Sequence, residues 1–257
     1  MQIGAMTNPR RRVEEEIRWI GENRFDFVDL AIEAPQAEPE QLDVLAIRQL
    51  LEDFGLGVVA HAAPYLPVSS PSARVRQAAR DELVRYLDVA AEVGASLLTT
   101  HFVGWPDWMA EGMAVELYGQ LYDALCREAQ KRGIAVAMEN GPGYAGQLKA
   151  LRRIFRRASN LQLLLDIGHA NIHVAKNQTQ EYLLALADRL AHVHMSDNDG
   201  TDDDHLPLGA SRKGGVNWER EVEALRSFDY DGTITLEVFG DRRYLLASRE
   251  YLRALWK

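Results

Sequence analysis

Residues 161–169 read Leu161-Gln162-Leu163-Leu164-Leu165-Asp166-Ile167-Gly168-His169, a short apolar run that stops on a carboxylate and is followed by a glycine and a histidine. A run of this length is too short for a typical helix and too continuously apolar for a strand with one wet face. It reads as a strand buried on both sides, the kind found in parallel sheets covered by helices. Seven further runs have the same character: Gln2 to Ala5, Phe27 to Ile32, Gly57 to Ala60, Ser96 to Thr100, Ile134 to Met138, Leu190 to Val193 and Thr233 to Leu236. The segments between them carry helix signals. Asn8-Pro9 offers a capping residue and a first-turn proline, and Val13, Ile17 and Ile20 follow at helical spacing. Gly55, Gly94 and Gly133 stand where helices are expected to stop in a left-handed residue. No G-x-G-x-x-G follows the first run, which removes the main signature of an open dinucleotide-binding sheet. Eight βα units in 257 residues predict a (β/α)8 TIM barrel, a single domain over residues 1–257.

The formal charge of -9 opposes a sequence-independent grip on nucleic acid, which draws its affinity from Lys and Arg. Neither a bilayer-length apolar run nor a basic, then apolar leader is visible, so a cytoplasmic location without membrane attachment is expected. The single cysteine, Cys126, shares a helical pattern with Leu117, Leu121 and Leu125 and is expected to be a buried, inert thiol.

In a parallel barrel the chemistry is built at the C-terminal ends of the strands. Six consecutive runs end there in residues able to ligate a metal: His61, His101, Glu139, Asp166, His194 and Glu237. His169, Asp203 and His205 lie just beyond. Each has an ordinary reading on its own. His61 or His101 is readily a hydrogen-bonded core histidine, Asp166 a turn cap, and Glu237 a partner of Arg242 or Arg243. Six aimed at one cavity make a stronger signal, because buried charges are costly unless paired or bound to a cation. Imidazole and carboxylate without thiolate suit Zn, Mn, Co or Fe, and a carboxylate-dominated centre also admits Mg.

Met138-Glu139-Asn140, Asp166-Ile167-Gly168-His169, His192-Val193-His194-Met195-Ser196-Asp197 and Asp203-Asp204-His205-Leu206-Pro207-Leu208-Gly209 together resemble the xylose isomerase-like TIM-barrel superfamily. That superfamily holds sugar and sugar-phosphate isomerases and epimerases as well as the endonuclease IV class of apurinic endonucleases. The resemblance implies a divalent metal on Glu139, Asp166, His194 and Glu237. It further implies proton exchange by Glu139 and Glu237 through an enediolate-type intermediate, and a substrate oxygen at His169. The expected partner is a small sugar, polyol or sugar phosphate.

The endonuclease pattern also fits, on His61, His101, Glu139, Asp166, His169, His194, Asp203, His205 and Glu237. This gives a zinc-dependent phosphodiesterase or apurinic endonuclease as the alternative, and a noncatalytic small-molecule binder as a further one. The acidic loop from Asp197 to Asp204 opposes nucleic acid, and Arg10 to Arg12 with Arg152, Arg153, Arg156 and Arg157 are assigned to helices on the barrel exterior. The second glutamate or arginine with which ketose 3-epimerases hold their sugar has no counterpart, nor does the lysine motif of aldose isomerases. Trp105 is a candidate wall for a polyol, and Lys213 a candidate contact for phosphate or carboxylate. His192 and His194 are expected on opposite sides of their strand, with His194 inward.

Overall fold

The structure is a computed structural model that describes residues 1–143 and 146–257. Eight parallel strands close into a barrel in chain order: β1 (Gln2–Met6), β2 (Phe27–Ile32), β3 (Gly57–Ala62), β4 (Leu97–His101), β5 (Ala135–Glu139), β6 (Gln162–Asp166), β7 (Leu190–Met195) and β8 (Thr233–Leu236). The ring shuts where Gln2, Ile3, Gly4 and Ala5 pair with Thr233, Ile234, Thr235 and Leu236. The helices are α1 (Val13–Glu22), α2 (Val44–Phe54), α3 (Ala73–Val93), α4 (Glu111–Gln130), α5 (Gln147–Arg157), α6 (Thr179–Leu186), α7 (Trp218–Ser227) and α8 (Arg242–Leu255). The expected TIM barrel is therefore the observed one, with strand limits shifted by a residue or two. Among the described residues no helix is long and apolar enough to cross a membrane.

Side chains alternate along each strand, so every second residue faces the barrel interior. Phe27, Val59, Leu97, Ala137 and Leu164 form an apolar plug toward the N-terminal end. Two residues further along the same strands the inward positions turn polar: Asp29, His61, Thr99, Glu139 and Asp166. A separate, larger core lies between the strands and the helices. This register lets a dry plug support a wet, charged mouth.

Gly4 makes room for the plug, because a Cβ placed there would lie 2.4 Å from Phe27 Cε2. Gly4→Ala forces the Phe27 ring to shift and is expected to cost about 1–3 kcal/mol. A urea-unfolding midpoint equal to that of the parent chain would show that the plug has slack.

Three expectations need correction. α1 begins at Val13 rather than at Asn8-Pro9. The Asn8 side chain instead accepts the Arg10 N–H at 2.9 Å, a local turn that competes with helix initiation. Arg10, Arg11 and Arg12 consequently precede α1, and Arg10 and Arg11 line the cavity at the mouth. His192 and His194 lie on the same side of β7, both against Asp29, because residues two apart on a strand share a face.

The other punctuation follows the sequence. Gly55, Gly94 and Gly133 have φ of 64°, 86° and 71°. Arg152 and Arg156 are on the solvated face of α5. Cys126 is buried, and burial pushes its thiol up to about 12.

Candidate metal centre and active site

The strand register sets the ligands side by side: His101 pairs with Glu139 across β4–β5, and Asp166 with His194 across β6–β7. Glu139, Asp166, His194 and Glu237 are buried, and each offers an atom within 4.8 Å of the others. His61, His101 and Glu139 form a second such group, which shares Glu139 with the first. His169 joins the cluster from the turn after β6. Its Nδ1 lies 2.8 Å from the Asn140 carbonyl, and its Nε2 lies 3.0 Å from Asp203 Oδ2, an oxygen that also stands 3.1 Å from His205 Nε2. All nine candidate ligands thus meet at one mouth. Around it lies a cavity of about 740 Å³, with His61, His101, Glu139, His169, His205 and Glu237 on its wall.

Two loops hold these groups in place. Asn140 locks the ends of β5 and β6 together, donating to the Asp166 carbonyl at 3.0 Å and accepting the Asp166 N–H at 2.8 Å. Gly168 allows the turn to return His169 to the mouth, since a Cβ there would meet the Ser196 carbonyl oxygen at 2.8 Å. In the acidic loop, Asp197 is buried and accepts the N–H groups of Asn198, Gly209 and Val216. It ties the loop down, which leaves Asp203 and His205 as the loop's contribution to the mouth.

The electrostatics are those of a site crowded with carboxylates. Burial, and then the neighbouring Glu139 and Glu237, raise the Asp166 carboxyl to about 7. Burial also works to raise Glu139, but the hydrogen bond and charge of His169 prevail and hold it well below the usual carboxylate range. Burial opposes a charge on His194 and His169; Glu237 and Asp166 respectively overcome it and raise both imidazoles well above the ordinary histidine range. In the same way Asp203 brings His205 to about 9 against burial. His101 is the exception, driven down to about 4 by burial.

Several buried atoms have no hydrogen-bond partner among the described residues: Asp166 Oδ2, His194 Nδ1, His101 Nδ1 and Asp203 Oδ1. His194 Nδ1 is 3.3 Å from Glu237 Oε2, outside hydrogen-bonding geometry, so proximity there is not a satisfied bond. Asp166 Oδ2 and His194 Nδ1, unpaired in the group that also holds Glu139 and Glu237, are donors of the kind that a divalent cation satisfies. The residues fit the metal that the resemblance implies.

Asp29, in the middle of β2, escaped the reading of the sequence. It is fully buried, and its Oδ2 accepts from Thr235 Oγ1 at 2.7 Å and from His194 Nε2 at 3.2 Å. Its Oδ1 lies 3.7 Å from His61 Nδ1. The bond to Nε2–H turns His194 Nδ1 toward Glu139 and Glu237, where it becomes a ligand once its own proton is displaced. A charge in the centre of an otherwise apolar strand was the available signal. Asp29→Asn is expected to weaken metal affinity about 10–100-fold, read by competition with a chelator of known affinity. Unchanged affinity would leave Asp29 a purely structural partner.

Other candidates fall outside the cavity. Lys213 is exposed and is not on the cavity wall. Trp105 stands behind the wall, edge-on to Phe102 with centroids 5.8 Å apart. Arg242 pairs with Glu16 and Arg243 with Asp241, so neither is the partner of Glu237.

The family described as xylose isomerase-like TIM barrel matches residues 17–255. The chain belongs to this family. Among solved structures, this xylose isomerase-like barrel is similar to a D-tagatose 3-epimerase-like protein, at a TM-score of 0.86 and 24% identity, covering 99% of this chain and 97% of that one. It is also similar to a Thermus thermophilus protein, TTHB071, soaked with ZnCl2, at a TM-score of 0.76 and 26% identity, covering 99% and 98%. The uncharacterized protein MJ1311 of Methanocaldococcus jannaschii is 27% identical over 230 residues, 85% of this chain and 76% of that protein.

Proposed function

We propose that this barrel isomerises or epimerises a small sugar, polyol or sugar phosphate by moving a proton at a carbon next to a carbonyl. The observation that carries this reading is the placement of Glu139 and Glu237. They come from strands three apart in the ring, and they stand 4.0 and 3.3 Å from the same nitrogen, His194 Nδ1. Two carboxylates that flank one position supply a base on one face of a substrate carbon and an acid on the other. Glu139, Asp166, His194 and Glu237 are the residues that would hold a divalent cation, Zn, Mn or Co with Mg also compatible. Such a cation, when bound, acts as a Lewis acid on the carbonyl and hydroxyl oxygens.

The protein residues do the rest. His169, anchored on the Asn140 carbonyl and held at Nε2 by Asp203, would contact a substrate oxygen from the wall of the cavity. Phe102 and Val238 line the same cavity and keep water away from the exchanging carbon. The structural neighbours named for epimerases support this reading.

The test is incubation of metal-loaded protein in D2O with a panel of ketoses, aldoses and their phosphates, followed by mass spectrometry and NMR. One deuterium at a carbon next to the carbonyl, with a new epimer or isomer, is the expected result. Tight binding of a sugar without any exchange would instead point to a binding protein on the same scaffold.

A second reading, phosphate-ester hydrolysis, is favoured by one specific observation. His61 with His101, and His169 with Asp203 and His205, extend the ligand set beyond the four residues that proton transfer needs. Incision of an abasic duplex by zinc-loaded protein would put this reading first.

A further inference from the structure

The cavity at the strand ends extends to the β1–α1 loop and the start of α8, where Arg10, Arg11 and Arg242 line it beside Trp19, Ile20 and Leu245. Arginines at a cavity rim are often only solvated charges. Here a buried carboxylate holds one of them and lies close to a second. Glu16, with a side chain 7% exposed, forms an ion pair with Arg242 and lies 3.6 Å from Arg11 Nη1. Its other oxygen accepts the Asn8 N–H at 3.2 Å and so positions the loop. The Arg242 guanidinium also stacks 4.5 Å from the centre of the Trp19 ring, which further limits its freedom.

The charges do not cancel. One Glu16 faces two guanidiniums, and the Arg10 side chain has no ion pair or hydrogen bond among the described residues. Glu33 is the other carboxylate on this part of the wall, so three guanidiniums face two carboxylates there. In a chain of net charge -9 whose strand ends carry a crowd of carboxylates, one end of the cavity is thus cationic. Guanidinium forks held in place match the oxygens of a phosphate or a carboxylate.

We propose that Arg10, Arg11 and Arg242 bind the anionic end group, a phosphate or a carboxylate, of a substrate whose carbonyl end sits at Glu139 and Glu237. This rests on the proton-transfer reading and narrows its substrates to charged ones.

Calorimetry on the metal-loaded protein with D-ribulose, D-ribulose 5-phosphate and the matching 5-carboxylate tests it, in the parent chain and in Arg10→Ala/Arg11→Ala. One charged form should bind about tenfold or more tighter than the neutral sugar, and the tighter of the two identifies the anion. In the double variant this ratio should fall about tenfold, while Arg152→Ala/Arg156→Ala, on the outer face of α5, should leave it unchanged. Equal affinities for charged and neutral forms, or a ratio insensitive to Arg10 and Arg11, would overturn the inference. Because binding is read without turnover, the two failures separate. A charge preference without deuterium exchange removes the proton-transfer reading, whereas exchange without a charge preference removes only the arginine site.

Discussion

Glu237→Gln is expected to lower the proposed epimerisation by about 10²–10⁴-fold at saturating metal, the range set by losing a positioned acid or base. The amide keeps an oxygen near His194 but cannot carry the proton. Glu139→Gln is expected to lose as much, yet the two variants should differ in kind. With one carboxylate gone, the remaining one still removes a proton from the epimer that faces it and returns a deuteron to the same side. Each variant should therefore exchange deuterium into one epimer only, and the two variants into opposite epimers. NMR of each pure epimer in D2O reads this directly. If either variant keeps full turnover with full metal content, that glutamate is a ligand or a bystander and not an acid or base.

Chelation is the second large effect. Asp166 Oδ2 and His194 Nδ1 are buried without partners among the described residues, so the folded chain gains whatever free energy a cation supplies there. At a free metal concentration a thousand times the Kd this is about 4 kcal/mol, which shifts Tm by roughly 10 °C in a domain of this size. The loss should be reversible on adding metal back.

Protons should leave as metal enters. Among the four residues that would hold the cation, Asp166 is raised to about 7 by burial and His194 is raised by Glu237, so coordination by these two displaces protons. Titration calorimetry in buffers of different ionisation enthalpy should show net proton release. Proton uptake, or no difference in Tm after chelation, would mean that Asp166 and His194 are not ligands.

The barrel was legible because its strands are buried on both faces and so stand out as apolar runs, most of them closed by a residue that does not belong in a core. His61, His101, Glu139, Asp166, His194 and Glu237 announce themselves in this way. Asp29 did not, because it sits mid-strand and acts through His194, and only the alternation of β2 against β7 reveals where it points. The reading of His192 failed on the same rule of alternation: two residues apart means one face. Its ring lies beneath His194, with its nitrogens 2.6 and 3.0 Å from the Thr233 and Thr235 hydroxyls. Arg10 and Arg11 were placed on a helix because Asn8-Pro9 mimics a helix start. The Asn8 side chain turned instead to the Arg10 N–H, and the loop so made carries both arginines to the cavity. Trp105 and Lys213 illustrate the reverse, residues of plausible chemistry that stand off the cavity wall.

Metal content measured by inductively coupled plasma mass spectrometry, on protein purified without added metal or chelator, tests the central claim most directly. About one Mn, Co or Zn per chain, lost in Asp166→Ala, is the predicted result. A chain that neither carries a divalent metal nor takes one up on titration would contradict the account.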